Sequence, residues 1–340
     1  MKIAVFSTQS YDQEFFDRLN HFGEIDLTYF EVALNKLTVK LLVGFEGICV
    51  FVNDKLDREV IEKLAANHIG LIALRCAGFN NIDLKAAEEH HITIVRVPAY
   101  SPQAIAEHAL ALILTLNRKT HKAYNRIREN NFSLEKLLGF NLDGKTVGVI
   151  GTGRTGAVFC KIMSGLGCNV IAMDINESEE LKSLGVKYKT LDEILKESDI
   201  ISLHCPLTPE TRHLIDEEAF LKMKPGVMLI NTSRGAVINS PHAINALKNG
   251  NLGYLGMDVY EQEENLFFKD LSESIIQDDV ISRLMSFPNV LITAHQGFFT
   301  KEALEQIVKT TLKNILDFKN GIRTDNKVSL PGKKNLYDSY

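Results

Sequence analysis

Short apolar runs alternate with longer amphipathic stretches along almost the whole chain. Runs such as Ile48-Cys49-Val50-Phe51-Val52 have the continuous apolar character of strands that are buried on both faces of a parallel sheet. The stretches between such runs place apolar residues at helical spacing. This alternation predicts an α/β protein built on parallel sheets.

The predicted strands form two series that are separated by a long helix. This helix begins at Ser101-Pro102, where serine suits the cap and proline the first helical position, and we expect it to bridge two domains. A last amphipathic helix is predicted over Lys301–Lys319, and the polar tail after Gly321 is expected to be mobile or to lie on the surface. The first series comprises Lys2–Ser7, Asp26–Phe30, Gly47–Val52, Leu71–Leu74 and Ile92–Val97, and the second comprises six strands, Thr146–Ile150, Asn169–Met173, Ile200–Leu203, Val227–Asn231, Leu255–Asp258 and Val290–Thr293.

Length and composition narrow the class of protein. A chain of 340 residues is too long for one ordinary core and predicts two domains. With 45% hydrophobic and 24% charged residues and no apolar run long enough for a membrane span, we expect a soluble protein without a membrane partner. A net charge of −5 argues against non-specific binding to nucleic acid. Five scattered cysteines favour the cytoplasm and argue against a disulfide framework or a metal site.

A glycine-rich turn follows the strand Thr146–Ile150. Gly151, Gly153 and Gly156 have the spacing that lets a backbone turn tightly, approach a pyrophosphate and pack a helix on a strand. Asp174 stands at the end of the next strand, where a carboxylate can accept the ribose hydroxyls of an adenosine. Because that carboxylate would repel a 2′-phosphate and no arginine follows it, we predict NAD rather than NADP.

Ligands of open parallel sheets lie beyond the carboxyl ends of the strands, so the residues at these ends are the first candidates for a site. In the second series they are Gly151, Asp174, His204-Cys205-Pro206, Thr232-Ser233-Arg234, Asp258 and Ala294-His295, and in the first series Ser7, Asn53, Ala77-Gly78 and Ala99-Tyr100. Two such crevices that face one another would enclose one cofactor and one small substrate.

Arg234 and His295 have the chemistry to reduce a carbonyl. A guanidinium at a strand end can bind a carboxylate and polarise a neighbouring carbonyl, although a lone arginine is more often a surface or structural group. An imidazole can protonate the alkoxide that forms as hydride reaches the carbonyl carbon. His204 also lies at a strand end, where we interpret it as a wall that packs on the cofactor. The histidines on helices and loops are interpreted as solvated or capping residues: His21, His68, His90, His91, His121, His213 and His242.

An acidic residue near His295 would favour the protonated imidazole that carbonyl reduction requires. Glu263 follows Asp258 closely along the chain, and Glu261 and Glu264 are competitors for the same role. Spacing alone does not choose among the three, and each taken singly is more often a solvated glutamate.

Several segments in the same order resemble the D-isomer-specific 2-hydroxyacid dehydrogenases, and within them most closely the fermentative bacterial D-lactate dehydrogenases. The resemblance extends from Lys2 to about Lys319. The matching segments are Arg75–Asp83, Val97–Pro102, Ala106–His108, Ser202–Thr208, Asn231–Gly235, Gly256–Glu261 and His295-Gln296.

The resemblance implies a role for each candidate residue. Arg234 would bind the substrate carboxylate and keto oxygen, and His295 would donate the proton, with Glu263 rather than Glu261 as its support. The remaining substrate residues would be the backbone of Ala77 and Gly78, together with Tyr100 and Phe298. The cofactor would contact Arg154 and Thr155 at the pyrophosphate, Asp174 at the ribose, Cys205, Pro206 and Thr211 in the cleft, and Thr232, Ser233 and Asp258 near the nicotinamide.

The resemblance also implies the organisation of the enzyme. Residues 1–100 with 299–340 would form a substrate domain and residues 101–298 an NAD-binding Rossmann domain, with a cleft between the two. Relatives pair through their cofactor domains, so a homodimer or homotetramer is expected.

The predicted reaction is reversible, NADH-dependent reduction of pyruvate to D-lactate. Two alternatives stay open. The aromatic residues Tyr100, Phe298 and Phe299 suit a small apolar pocket but would equally line a larger one for phenylpyruvate or 2-ketoisocaproate. A protein of this fold can also serve as an NAD-sensing scaffold or corepressor, although no long disordered arm or peptide-binding insertion is visible.

Overall fold

The computed structural model describes residues 1–20 and 23–330, and within them the chain divides into two compact units. The first unit comprises residues 1–101 and residues 299–330, and the second comprises Pro102–Phe298. Each unit is built around one parallel sheet. The predicted α/β class with two parallel-sheet domains is therefore confirmed. His21 lies outside the described residues.

The first unit contains a five-stranded parallel sheet in the order β2-β1-β3-β4-β5. Every residue of β3 and β4 is buried, as the continuous apolar runs predict. The strands are Lys2–Val5 (β1), Asp26–Tyr29 (β2), Gly47–Val50 (β3), Leu71–Leu74 (β4) and Thr93–Val95 (β5). The helices that follow the first, third and fourth strands are Ser10–Leu19 (α1), Arg58–Ala66 (α2) and Leu84–Glu89 (α3). Asp57 and Asp83 cap the last two by accepting a backbone N–H in the first turn.

The second unit contains a seven-stranded parallel sheet in the order β12-β11-β10-β9-β6-β7-β8. The strands are Thr146–Ile150 (β6), Asn169–Met173 (β7), Lys187–Tyr188 (β8), Ile200–Leu203 (β9), Val227–Asn231 (β10), Leu252–Met257 (β11) and Val290–Ile292 (β12). The prediction of six strands is wrong by one, because β8 is an edge strand of only two residues and leaves no apolar run. The chain winds outward in both directions from β6, so the strand order reverses between β6 and β9.

Helices cover both faces of the second sheet. Those described are Pro102–Arg118 (α4), Thr120–Arg128 (α5), Arg154–Gly165 (α6), Glu179–Ser183 (α7), Leu191–Glu197 (α8), Glu217–Lys222 (α9), Ser240–Asn249 (α10) and Asp279–Met285 (α11). The predicted bridging helix is α4, whose apolar face includes Ala109, Leu112, Ile113 and Leu116 and packs in one core cluster with β6 and α6. By contrast, α5 buries none of its residues.

The C-terminal helix Lys301–Lys319 (α12) belongs to the first unit and packs on its sheet through Val308, Leu312 and Ile315. The chain beyond it differs in part from the predicted mobile or surface tail. The amide of Val328 donates to the carbonyl of Ile94 at 2.9 Å, and Lys327 forms an antiparallel bridge with Val95. These bonds satisfy the free edge of β5. The end of the predicted tail, residues 331–340, lies outside the described residues.

Candidate active site

The glycine turn after β6 leaves no room for side chains. Gly151 has φ +93°, which favours glycine, and a Cβ atom there would lie 2.6 Å from the amide nitrogen of Cys205. A Cβ atom on Gly156 would lie 1.9 Å from the carbonyl oxygen of Gly151. Gly153 caps α6 without a side-chain hydrogen bond, so the first N–H groups of that helix, from Arg154 and Thr155, have no partner inside it. An anion such as a pyrophosphate fits this helix end.

Asp174 follows β7 at the same edge of the sheet and is held beside the glycine turn. Its Oδ2 accepts the amide of Thr152 at 2.5 Å, and its Oδ1 accepts the amide of Asn176 at 2.9 Å. These bonds fix the carboxylate and leave each oxygen capacity to accept a hydroxyl proton. The next residue, Ile175, is 98% exposed and offers an apolar surface beside this carboxylate.

The loop after β9 lies against the glycine turn. The imidazole of His204 packs on the Phe159 ring at 4.8 Å and bonds the hydroxyl of Ser202 through Nε2. Burial lowers the pKa of His204 to about 3, so the ring is neutral at neutral pH. Further along, the hydroxyl of Thr211 donates to the carbonyl of Pro206 at 2.6 Å. His204 is thus packed against Phe159 of α6, while the Thr211 hydroxyl bridges two backbone positions within its own loop.

The turn after β10 carries Arg234 and is held by Asn231. The Asn231 side chain accepts the amide and hydroxyl of Ser233 at 3.0 and 2.9 Å and donates to the carbonyl of Arg234 at 2.9 Å. The guanidinium of Arg234 donates to the carbonyl of Ser233 at 2.7 Å. The hydroxyl of Thr232 is buried without a hydrogen-bond partner within the described residues. This hydroxyl at a strand end is available to bond a ligand.

Gly235 joins the turn after β10 to the turn after β11. A Cβ atom on Gly235 would lie 2.0 Å from the carbonyl carbon of Tyr260 and 2.3 Å from the amide nitrogen of Glu261. Only glycine allows these two backbones to touch. The contact brings Arg234 and the segment that carries Glu263 to neighbouring strand ends.

Glu263 and His295 form a pair beside this contact. Nδ1 of His295 lies 2.8 Å from Oε1 of Glu263, and Oε2 of Glu263 accepts the amide of Tyr260 at 3.0 Å. The His295 and Glu263 side chains are 18% and 22% exposed, so they are shielded yet reachable from solvent. Nε2 of His295 makes no hydrogen bond within the described part of the chain. The geometry therefore selects Glu263, and not Glu261 or Glu264, as the partner of His295.

Asp258 holds the segment that carries His295. Its carboxylate is 2% exposed and accepts Thr293 Oγ1 at 2.6 Å and the amides of Gln296 and Gly297 at 2.8 Å each. His108 of α4 contacts the same carboxylate through Nε2 at 3.2 Å. Burial acts to raise the pKa of Asp258, but these hydrogen bonds outweigh it, so the net pKa lies below its ordinary value. Sequence reasoning missed His108, because nothing in an apolar helix indicates a partner so distant along the chain.

The other candidate substrate residues lie apart along the chain. In the first unit, Ala77 and Gly78 follow β4, and the carbonyl of Ala77 accepts the guanidinium of Arg96 at 3.1 Å. Tyr100 stands near the end of the first of the two segments that form that unit. Phe298 ends the second unit and is 6% exposed.

The residues at the carboxyl ends of β6 and β7 fit a dinucleotide. A close backbone approach, a helix end with free N–H groups and a fixed carboxylate occur in the order that pyrophosphate and ribose require. The unpartnered hydroxyl of Thr232 lies at the end of β10, two strands further along the same edge.

Comparison with known proteins agrees with this fit. Residues 110–297 match the family model described as D-isomer specific 2-hydroxyacid dehydrogenase, NAD binding domain. A 2-hydroxyacid dehydrogenase homolog of Haemophilus influenzae is 53% identical over 96% of this chain and 99% of its own length. The D-lactate dehydrogenase of Escherichia coli is 51% identical over 96% of this chain and 100% of its own length.

Solved structures of D-lactate dehydrogenases are also similar to this chain. The apo-structure of D-lactate dehydrogenase from Escherichia coli superposes with a TM-score of 0.89 at 48% identity, covering 96% of this chain and 100% of the other. D-lactate dehydrogenase from Aquifex aeolicus, complexed with NAD and lactic acid, gives 0.86 at 36% identity over 97% and 100% of the two chains. The chain therefore belongs to the D-isomer-specific 2-hydroxyacid dehydrogenases, and its second unit contains their NAD-binding domain.

Proposed function

We propose that this enzyme reduces pyruvate to D-lactate with NADH and catalyses the reverse reaction. The observation that carries the proposal is the pair of His295 and Glu263 at 2.8 Å, which commits Nδ1 to the carboxylate and leaves Nε2 for a substrate oxygen. Relatives named D-lactate dehydrogenase match over nearly their whole length, which supports pyruvate as the substrate.

In the proposed mechanism, Arg234 binds the substrate carboxylate and polarises the keto oxygen. When NADH is bound, its nicotinamide supplies hydride to the keto carbon. His295, oriented by Glu263, donates its Nε2 proton to the oxygen as negative charge develops there, and Arg234 stabilises that charge. The amides of Ala77 and Gly78 bind the carboxylate.

Further residues complete the proposed contacts. Tyr100 closes over the substrate carboxylate, and Phe298 lines the substrate pocket. Asp174 accepts the ribose hydroxyls. The remaining cofactor contacts are assigned to Gly151, Gly153, Arg154, Thr155, Gly156, Cys205, Pro206, Thr211, Thr232, Ser233 and Asp258.

Oxidation of NADH in the presence of pyruvate, followed by chiral analysis of the product, tests the proposal. Formation of D-lactate is expected, and formation of L-lactate would refute the stereochemical assignment. A panel with phenylpyruvate and 2-ketoisocaproate tests the alternative of a bulkier substrate, which a higher kcat/KM for either would favour. Tight NADH binding without turnover of any keto acid would instead favour a scaffold.

We further propose that the enzyme is a homo-oligomer that pairs through the second unit. The support is a set of large apolar side chains on and after α5 that are 54–87% exposed, an arrangement typical of interfaces. These residues are Ile127, Tyr124, Phe132, Leu134 and Leu138. Sedimentation equilibrium should give a dimer or tetramer, and Leu134→Glu with Leu138→Glu should shift it toward the monomer. A wild-type monomer at micromolar concentration would refute the assignment.

The cytoplasm is the proposed location. All five cysteines are buried and unpaired, which suits a reducing compartment. Among the described helices, none combines the length and apolar character needed to cross a membrane.

A further inference from the structure

Glu261, a competitor of Glu263 in the sequence, bonds a second histidine. Its Oε1 lies 2.7 Å from Nε2 of His213 and 3.3 Å from Nη2 of Arg212. The His213 and Glu261 side chains are 30% and 20% exposed, whereas Arg212 is 58% exposed. The interpretation of His213 as a solvated or capping residue is therefore wrong. Residues Tyr260–Glu263, here called the acid turn, carry two carboxylates that each bind a histidine.

The proton on the His213 ring can be placed from its neighbours. Oδ1 of Asn239 caps α10 by accepting the amide of His242 at 3.1 Å, so the Nδ2 amide group of Asn239 faces Nδ1 of His213 at 3.4 Å. Because that amide group only donates, Nδ1 of His213 is the acceptor. Nε2 therefore carries the hydrogen and donates it to Glu261.

The backbone that Glu261 anchors supports two groups of the proposed mechanism. Gly235, which follows Arg234, packs on the backbone between Tyr260 and Glu261. The amide of Tyr260 donates to Glu263, whose other oxygen binds His295. Movement of the acid turn would therefore displace both the guanidinium and the partner of the imidazole.

The loop from Pro206 to Thr211, which precedes His213 in the chain, is held by its own hydrogen bonds. The Thr211 hydroxyl accepts the amide of Thr208 at 2.8 Å and donates to the carbonyl of Pro206 at 2.6 Å. Removing the bond between His213 and Glu261 leaves these bonds in place. Its loss should therefore free the acid turn rather than the loop assigned to the cofactor.

We propose that His213 and Glu261 are positioning residues that lock the acid turn, and through it Glu263 and Arg234, in the arrangement needed for proton transfer. Neither residue touches the reacting atoms in this proposal, which rests on the proposed function for the reaction it describes. Displacements of about 1 Å at a reacting centre can cost on the order of a hundredfold in rate.

A double-mutant cycle tests the pair in the full-length enzyme. His213→Ala and Glu261→Ala are each expected to lower kcat, counted per NADH-binding site, by about ten- to a hundredfold, with Kd for NADH changed by less than about threefold. The double variant should be no slower than the slower single variant, since both remove one interaction. Additive losses, or kcat per binding site equal to wild type, would overturn the proposal.

Conservative replacements separate positioning from bulk stability. The amide nitrogen of glutamine can occupy the place of the imidazole Nε2, so His213→Gln should restore most of kcat, whereas the shorter His213→Asn should not. Lys222→Gln is the control, because it breaks a comparable ion pair to Asp192 at 2.9 Å on the exposed surface of the same unit. This control should leave kcat unchanged.

Amide hydrogen exchange distinguishes failure of this proposal from failure of the proposed function. Exchange at Tyr260 should accelerate in His213→Ala and Glu261→Ala but not in His213→Gln, whether or not pyruvate is the substrate. If wild type does not reduce pyruvate while exchange behaves as described, only the proposed reaction fails. Unchanged exchange at Tyr260 in both alanine variants would refute the locking role.

Discussion

Nδ1 of His295 lies 2.8 Å from Oε1 of Glu263, while the second oxygen of this carboxylate accepts the backbone amide of Tyr260. The carboxylate is thus bound on one side to the backbone of Tyr260 and on the other to the imidazole. This arrangement fixes both the orientation of the ring and the nitrogen that faces outward.

Replacing His295 with Gln removes the proposed proton donor but keeps a polar side chain of similar size. We expect pyruvate turnover to fall by about two to four orders of magnitude, the usual contribution of positioned proton transfer. Steady-state kinetics measures the loss, and a fluorescence titration with NADH should show that the cofactor still binds. Turnover close to wild type would remove His295 from the mechanism.

Glu263→Gln retains a hydrogen-bond acceptor but removes the negative charge beside the imidazole. Without that charge the imidazole loses the ionic partner that holds it for proton transfer, so kcat/KM for pyruvate should fall while Kd for NADH changes little. Steady-state kinetics and a fluorescence titration with NADH are the measurements. A kcat/KM equal to that of wild type would exclude Glu263 from this role.

Asp174→Ala should narrow the preference for NADH over NADPH. The carboxylate repels a 2′-phosphate, and its removal also frees the amide of Thr152, which it binds at 2.5 Å. The ratio of kcat/KM for the two cofactors tests this expectation. An unchanged preference for NADH would mean that residues other than Asp174 discriminate between the two cofactors.

Asp258→Asn should destabilise the second unit by about 1–3 kcal/mol, because an amide cannot satisfy all the donors that now face the carboxylate. Since the pKa of Asp258 is lowered on folding, the carboxylate stabilises the folded state above its unfolded pKa of about 3.9. That contribution disappears as pH falls through the lower folded pKa. The free energies of unfolding of the two proteins in urea should differ throughout about pH 5 to 8, and this difference should close only in stronger acid. A gap that closes already near pH 6 would contradict this account.

The sequence predicted the ends of the central strands well and missed one strand at the sheet edge. β6, β7, β9 and β10 begin and end where the apolar runs do, because strands buried on both faces leave continuous apolar runs. The residues at their ends were therefore identifiable as site candidates. The prediction missed β8 because a strand of only two residues at a sheet edge has no recognisable hydrophobic pattern.

Side-chain partners that are distant along the chain were beyond sequence reasoning. His108 and Thr293 are 185 positions apart, yet their side chains meet at 3.0 Å beside Asp258. Likewise, spacing left Glu261, Glu263 and Glu264 equivalent. The resemblance favoured Glu263, and the bond from His295 to Glu263 separates it from the other two. Periodicity reports which face of an element is buried but not what it meets there.

His295 follows β12, a strand of three residues at the edge, or rim, of the second sheet, whereas the glycine turn follows the central strand β6. Rim strands fray at lower free energy than central ones. Gentle warming should therefore open the rim first, producing molecules that still bind NADH but have lost the ordered position of the proposed proton donor. On heating, this protein should therefore lose catalytic activity at a lower temperature than it loses NADH binding.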